Sequence, residues 1–291
     1  MPDIAVTLRQ RVQEVMPDLE IQHFEINQEG LVNDVAIVNN KLVFRFAKTE
    51  KNAEILNDEM RILDIIRPQL EIEVPTPIYR SQNSVVYPFL DGQPFLRETL
   101  LGLPGDVQVK TAEQLGKFLH ELHTVEISRS NWEVPSTLAP VTHEKWLDIY
   151  QRVQEKIYPL LLKHQVQWAE NLFDSVLSKP ESFDYRPSLI HGDLAPYHIL
   201  FDMTNRKITG VIDFGVAGIG DPASDIGSLI SSYGESFVAK MNPTYPLLDN
   251  YLPRARFYAQ SIELQWVLQG LETGETFWFT AHVGGARDVF S

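Results

Sequence analysis

Residues 189–213 read LIHGDLAPYHILFDMTNRKITGVID, and the chain continues to Asp225 as FGVAGIGDPASD. Two apolar runs, Leu189-Ile190 and Ile199-Leu200-Phe201, flank a turn of small and polar residues. A third run, Ile208 to Ile212, follows the turn signal Asp202-Met203-Thr204-Asn205. Short apolar runs between turn formers predict strand, loop, strand, turn, strand. Asp193 and Asp213 then fall where a strand meets a loop, at one end of a small sheet, held by rigid elements.

That placement suits phosphoryl transfer, which asks a protein for positioning and charge neutralisation more than covalent chemistry. One carboxylate must orient the acceptor hydroxyl, and others must hold a divalent ion against the triphosphate. The kinase spacing is present: His191-x-Asp193, a metal-ligand position five residues after the Asp, and Asp213-Phe214-Gly215 about twenty residues on. Either short motif alone is common by chance. Both, in order and at strand ends, are a strong signal. Gly192 and Gly215 read as residues chosen for backbone conformation.

HGDLAPYH followed by GVIDFGVAGIGDPASD resembles the aminoglycoside phosphotransferase family of kinase-like enzymes. Within it the chain is most similar to the 2″-aminoglycoside phosphotransferases, in which a His replaces the usual Asn of the catalytic loop; His198 stands there. The resemblance covers nearly the whole chain, with its specificity concentrated between residues 189 and 225. It implies an α+β, two-lobed protein-kinase-like fold. Residues 1–91 would be a small antiparallel-sheet N-lobe that binds nucleotide, and residues 92–291 a mainly helical C-lobe with the catalytic loop and acceptor-binding helices. The implied reaction moves the γ-phosphate of ATP or GTP, with Mg2+, to a hydroxyl of a small molecule, an aminoglycoside first. Asp193 is the expected base or orienting group, His198 and Asp213 the metal ligands, and His191 and Asp225 braces of the loop. Magnesium prefers hard oxygen ligands while imidazole suits softer ions, so manganese is expected to support activity unusually well.

Composition sets the outer bounds. The 291 residues are 44% hydrophobic and 22% charged, as in an ordinary globular protein of one or two domains. With zero cysteines, disulfides, thiol catalysis and cysteine-ligated zinc are excluded. No signal peptide or membrane-spanning run is visible, and the expectation is a cytoplasmic monomer. The formal net charge of −14 disfavours nucleic acid and anionic membrane as partners and favours a cationic small molecule. An acidic surface that only keeps the protein soluble explains the charge equally well.

Along the chain, Ile4, Leu8, Val12 and Val15 predict a short opening helix. Strands follow over 21–27 and 34–46, the latter turning at Asn39-Asn40. The segment from Gln28 to Asp34 sits where a kinase covers the nucleotide phosphates, without a glycine-rich pattern. On the strand Leu42–Ala47, Arg45 stands where relatives have the phosphate-binding Lys, with Lys48 as the fallback. A guanidinium fork is not a point charge. Glu59 lies on the apolar stripe Ile55, Ile62, Ile66 of the next helix, so it needs a partner, and Arg45 is the expected one. The alternatives are a solvated Arg45 and a solvated Glu59. The resemblance places the purine-binding hinge at Pro88, Phe89 and Leu90.

The rest reads as helices. Thr111 with Gln114 predicts a capping box. His120 and His123 read as ordinary helix-surface or helix-end histidines, and the Trp146, Tyr150, Val153, Ile157 stripe as packing. Asp221-Pro222 predicts a helix start. Acceptor candidates are Glu235, Glu263, Trp266 and Trp278, with Glu272 and Glu275 either gripping amines or merely solvated. Glu235 is the single acid of the stretch 230–235, where 2″ enzymes often carry several. A kinase for another alcohol (macrolide, choline or sugar) therefore stays open, as does, more remotely, a non-catalytic nucleotide-binding module.

Overall fold

The computed structural model describes residues 4–27, 32–127 and 132–274. The chain forms two compact units, one drawn from Met1–Phe95, Val125–Pro135 and Tyr197–Val216, the other from Leu96–Thr124, Ser136–Pro196 and Ala217–Ser291.

In the first unit, α1 (Ile4–Val15) buries Leu8 and Val12, one turn apart. Strands β1 (Phe24–Asn27), β2 (Asn33–Val38) and β3 (Leu42–Ala47) form a meander. Asn39 and Asn40 link β2 to β3 with φ of +56° and +52°, the two-residue turn whose twist matches the strands it joins. With β4 (Tyr79–Arg80) and β5 (Ser84–Pro88) they make an antiparallel sheet of order β1-β2-β3-β5-β4.

Four consecutive residues of β3, Val43 to Phe46, are buried, so both faces of the strand are covered. Phe44 and Phe46 join Leu8, Val12, Ala36, Val38 and Val86 in one core. Val43 and Arg45, which oppose Tyr87 and Val85 in the register, point to the other face, as alternation requires. There α2 (Glu50–Ile66) lies, capped by Thr49, whose hydroxyl accepts the Asn52 N–H at 3.1 Å. A second sheet in this unit orders β6 (Gln93–Pro94), β8 (Ile199–Asp202) and β9 (Lys207–Val211) as β6-β8-β9.

The second unit is helical: α3 (Arg97–Gly102), α4 (Gly105–His123), α5 (His143–Lys156), α6 (Lys163–Leu177), α7 (Ala223–Tyr233), α8 (Glu235–Val238) and α9 (Leu248–Thr273). Helices α7 and α9 come close at Gly227, where a Cβ would lie 2.8 Å from Tyr258 Cβ and 2.9 Å from Ala255 O. Trp146, Phe173, Phe257 and Tyr258 pack ring against ring between α5, α6 and α9.

Two local expectations are corrected. Strand β7 (Ser188–Ile190) pairs with β10 (Gly218–Gly220) and not with β8 and β9. Asp193 and Asp213 therefore follow strands of different sheets. The second correction concerns Thr111, which caps nothing, because α4 begins six residues earlier at Gly105. Its hydroxyl donates to the Val107 carbonyl at 2.8 Å inside the helix. No helix among the described residues is long and apolar enough to cross a membrane.

Candidate active site

Strand alternation turns Arg45 toward α2, and the stripe of α2 turns Glu59 toward the sheet. The two meet: Arg45 Nη1 donates to Glu59 Oε1 at 2.6 Å, with both side chains buried. Burial works against the Arg45 charge, but Glu59, then the Tyr87 hydroxyl, then Asp213 outweigh it and the guanidinium pKa is raised. Burial likewise pushes the Glu59 carboxyl up. The guanidinium at 2.6 Å works against that shift. Glu59 Oε2 is buried without a hydrogen bond of good geometry, and the charge of the carboxyl is eased by Arg45 first and the Phe214 amide after it.

The second arm of Arg45, Nη2, lies 3.6 Å from Asp213 Oδ1, and His198 Nε2 lies 3.6 Å from Asp213 Oδ2. The Asp213 side chain is 48% exposed and that of His198 15%. Asp213 has φ +65°, in the left-handed region otherwise taken among described non-glycine residues by Asn39, Asn40 and Arg206. Gly215 is not there, and a Cβ on it would make only ordinary contacts, so backbone conformation does not demand a glycine at 215. The strained residue of the motif is the aspartate.

A divalent ion would find one imidazole nitrogen and one half-exposed carboxylate at a separation that lets them share a cation. Among the described residues no group of three or more His, Asp or Glu offers a closed metal cage. Two protein donors suit magnesium in number, since it is ordinarily held by one or two carboxylates with phosphate and water completing its shell. The Asp213 carboxylate fits magnesium in kind, and the His198 imidazole is the softer donor that suits manganese better.

Asp193 lies in the second unit, on the loop after β7, and is exposed. The boundary between units runs through this loop, between Pro196 and Tyr197. His191 is fully buried and its Nδ1 accepts the Asp193 N–H at 3.3 Å. Gly192 has φ +80°, a conformation that glycine adopts without cost. Asp225, at the start of α7 and fully buried, accepts from the His191 amide at 2.9 Å and the Gly192 amide at 2.8 Å. Its third donor is His123 Nε2–H at 3.0 Å. Burial would raise the Asp225 pKa, but these donors overcome it and hold the carboxyl below its ordinary value.

His123 is thus no surface histidine. It is buried between Asp225 and the Tyr245 hydroxyl, 2.6 Å from Nδ1. The available signal was its place four residues after Leu119 and eight after Leu115 on the buried stripe of α4.

The remaining candidates are less concentrated. Lys48 Nζ lies 4.0 Å from Asp34 Oδ1, on the side of β3 away from Arg45. At the hinge, the Phe89 N–H is spent on the Lys41 carbonyl at 2.7 Å. Pro88 and Leu90 border a groove of about 280 Å³ along residues 67–76, which touches none of Arg45, Glu59, His198 or Asp213. Glu235 is bound by both arms of Arg256, at 2.9 and 2.6 Å. Glu272 is neutralised by Arg152 and Lys156. Glu263 and Trp266 are half-buried, one turn apart on α9. Trp278, Glu275 and the segment 28–31 lie outside the described residues.

A small antiparallel sheet with an Arg–Glu pair beneath it and a helical unit that pins an H-G-D loop define the two-lobed, α+β kinase-like class. The chain belongs to the phosphotransferase enzyme family (APH), whose profile matches residues 23–258. Among solved structures it is similar to the GDP and kanamycin complex of the aminoglycoside phosphotransferase APH(2″)-IIIa. That likeness has a TM-score of 0.82 and 28% identity, over 94% of each chain. Viomycin phosphotransferase of Streptomyces vinaceus is 22% identical over 73% of this chain and 75% of its own. The uncharacterized protein YcbJ of Bacillus subtilis (strain 168) is 24% identical over 77% of this chain and 75% of its own.

Proposed function

We propose that this protein transfers the γ-phosphate of ATP or GTP to a hydroxyl of a small cationic antibiotic, an aminoglycoside in the first instance. The observation that carries the reading is the buried Arg45–Glu59 pair with its second arm toward Asp213, the arrangement phosphoryl transfer needs for holding phosphates and a metal together. Arg45 binds the phosphates, held in place by Glu59. The backbone at Pro88 and Leu90 meets the purine, and the nucleotide belongs to the segment up to residue 91. His198 and Asp213 hold magnesium, which when bound neutralises charge on the triphosphate. Asp193, whose residue is exposed, accepts a hydrogen bond from the acceptor hydroxyl and orients its oxygen.

The aminoglycoside reading draws support from the APH(2″)-IIIa kanamycin complex and from the net charge of −14. Glu263 and Trp266, one turn apart on α9, are the acceptor residues we favour, because a carboxylate beside an aromatic face suits a cationic sugar. The pairing of Glu235 and Glu272 with cations of the chain, with the likeness to viomycin phosphotransferase, favours as a second reading an antibiotic or metabolic alcohol with fewer amines. The test is turnover of ATP and of GTP, with magnesium, against kanamycin-type aminoglycosides, viomycin, a macrolide and choline. Asp193→Asn serves as blank, and general-base loss predicts a fall of about 10²- to 10⁴-fold. Turnover on an aminoglycoside that the variant loses supports the first reading, and turnover on another alcohol alone moves it to the second. Turnover undiminished in Asp193→Asn would sink the assignment of that residue.

A further inference from the structure

We propose that His123 and Tyr245 are positioning residues for the phosphoryl transfer argued above: through Asp225 they set the backbone of His191 and Gly192, and with it the place of Asp193. The inference rests on that reading for its kinetic arm only.

Asp225 is fully buried, so no water can replace a lost donor. Its Oδ2 accepts from His123 Nε2–H and the His191 N–H, and its Oδ1 from the Gly192 N–H. A carboxylate only accepts, which fixes the proton on Nε2 and leaves Nδ1 to the Tyr245 hydroxyl at 2.6 Å. Tyr245 therefore holds the ring from behind. Its own ring stacks on Tyr251 of α9, with centroids 5.9 Å apart.

Every step from there to Asp193 is short. The two amides that Asp225 anchors belong to the residues immediately before Asp193. Gly192 sits at φ +80°, a conformation that glycine adopts readily. The Asp193 amide in turn donates to His191 Nδ1 at 3.3 Å. A loss at His123 leaves the carboxylate one donor short in a place without solvent. Either the loop amides or the carboxylate must then shift.

Two substitutions separate bracing from space filling. His123→Gln places an amide N–H near the position of Nε2 and keeps the donor to Asp225. His123→Asn places its amide near Nδ1 and keeps only the partner of Tyr245. Hydrogen exchange of the His191 and Gly192 amides reads the brace without any turnover. We expect exchange at both amides to quicken about tenfold or more in His123→Asn, from loss of one charge-assisted hydrogen bond, and to stay near wild type in His123→Gln. In the acceptor assay kcat should fall in His123→Asn with the nucleotide KM unchanged, and recover in His123→Gln.

Equal behaviour of the two variants, or amides in His123→Asn as protected as in wild type, overturns the proposal. Should His123→Asn not fold, Tyr245→Phe carries the test: faster exchange at the same two amides supports the brace, and unchanged exchange refutes it. A wild-type protein inactive on every acceptor counts against the phosphotransfer reading, while the exchange data still judge the brace.

Discussion

Glu59 and Asp225 are equally withdrawn from solvent, at 1% and 0% exposed, yet their surroundings treat them in opposite ways. Burial raises the pKa of both. At Asp225, the His123 donor and two backbone amides reverse that effect and the carboxyl ends below its ordinary value. Glu59 stays raised, because one guanidinium arm and a poorly placed amide do not reverse it, and Oε2 lacks a good hydrogen bond. A buried carboxylate with all its donors in place is a finished brace. One left partly unsatisfied, beside an Arg that also reaches Tyr87 and, at a loose 3.6 Å, Asp213, is what the proposed phosphate site would contain. Native proteins keep such incomplete groups mainly where function requires them.

The comparison predicts unequal costs. Asp225→Asn should be the more damaging, since it removes the charge and turns one of the two oxygens that three buried donors share into an NH2 that cannot accept: about 3 kcal/mol or more of stability, read by denaturant unfolding. The pH dependence has a definite sign. A carboxyl whose folded pKa is depressed stabilises the fold above its unfolded value of about 4, and that share is lost as pH falls through the folded value. The gap between wild type and Asp225→Asn should therefore narrow below about pH 4. A gap that widens in acid would break the account of Asp225.

Glu59→Gln should cost less, about 1–2 kcal/mol, because the amide oxygen still accepts from Arg45 and Asp213 leaves the buried guanidinium one carboxylate. Its larger effect should fall on the nucleotide, with a raised KM. A stability loss equal to that of Asp225→Asn, with nucleotide affinity unchanged, would erase the distinction between the two carboxylates.

The same two residues show what the sequence makes legible. Glu59 was readable because two local periodicities converge: alternation turns Arg45 to one face of β3, and the stripe of α2 turns Glu59 toward it. The partner of Asp225 was not readable. His123 stands 102 residues away and looks like any basic residue ending a helix, unless its place on the stripe of Leu115 and Leu119 is weighed. Strand pairing failed for a like reason. The apolar runs at 189–190, 199–201 and 208–212 mark strands, but a run does not encode its neighbour. Strand β7 takes Ala217's successors, Gly218 to Gly220, which carry almost no apolar signal. Motif spacing located Asp193, His198 and Asp213 in the chain, since the loops that carry them are local.

His198 sharpens the contrast on a smaller scale. If it holds the metal beside Asp213, His198→Asn replaces a nitrogen donor with a hard oxygen and should lower the ratio of manganese- to magnesium-supported turnover several-fold. An unchanged ratio would remove His198 from the metal shell, and the open character of the Glu59 region would then rest on Arg45 and Asp213 alone.

The smallest effect belongs to a third carboxylate. Glu235 is held below its ordinary pKa by hydrogen bonds from Arg256, as Asp225 is by its donors, but at the surface, where its side chain is 42% exposed. Water and salt can replace Arg256 there, so Arg256→Ala should leave the melting temperature unchanged within error. What changes is the charge that Glu235 presents. If the acceptor is an aminoglycoside that reaches this helix, its amines should gain a carboxylate and its KM should fall, about twofold at low salt and less at high salt. If KM for the acceptor is unmoved at every salt concentration, Glu235 is a solvated surface acid with no part in acceptor binding, and recognition of the acceptor passes to Glu263 and Trp266 on α9. Bracing and binding would then be divided between different carboxylates of the helical unit, with burial separating Asp225, which braces, from the half-buried Glu263.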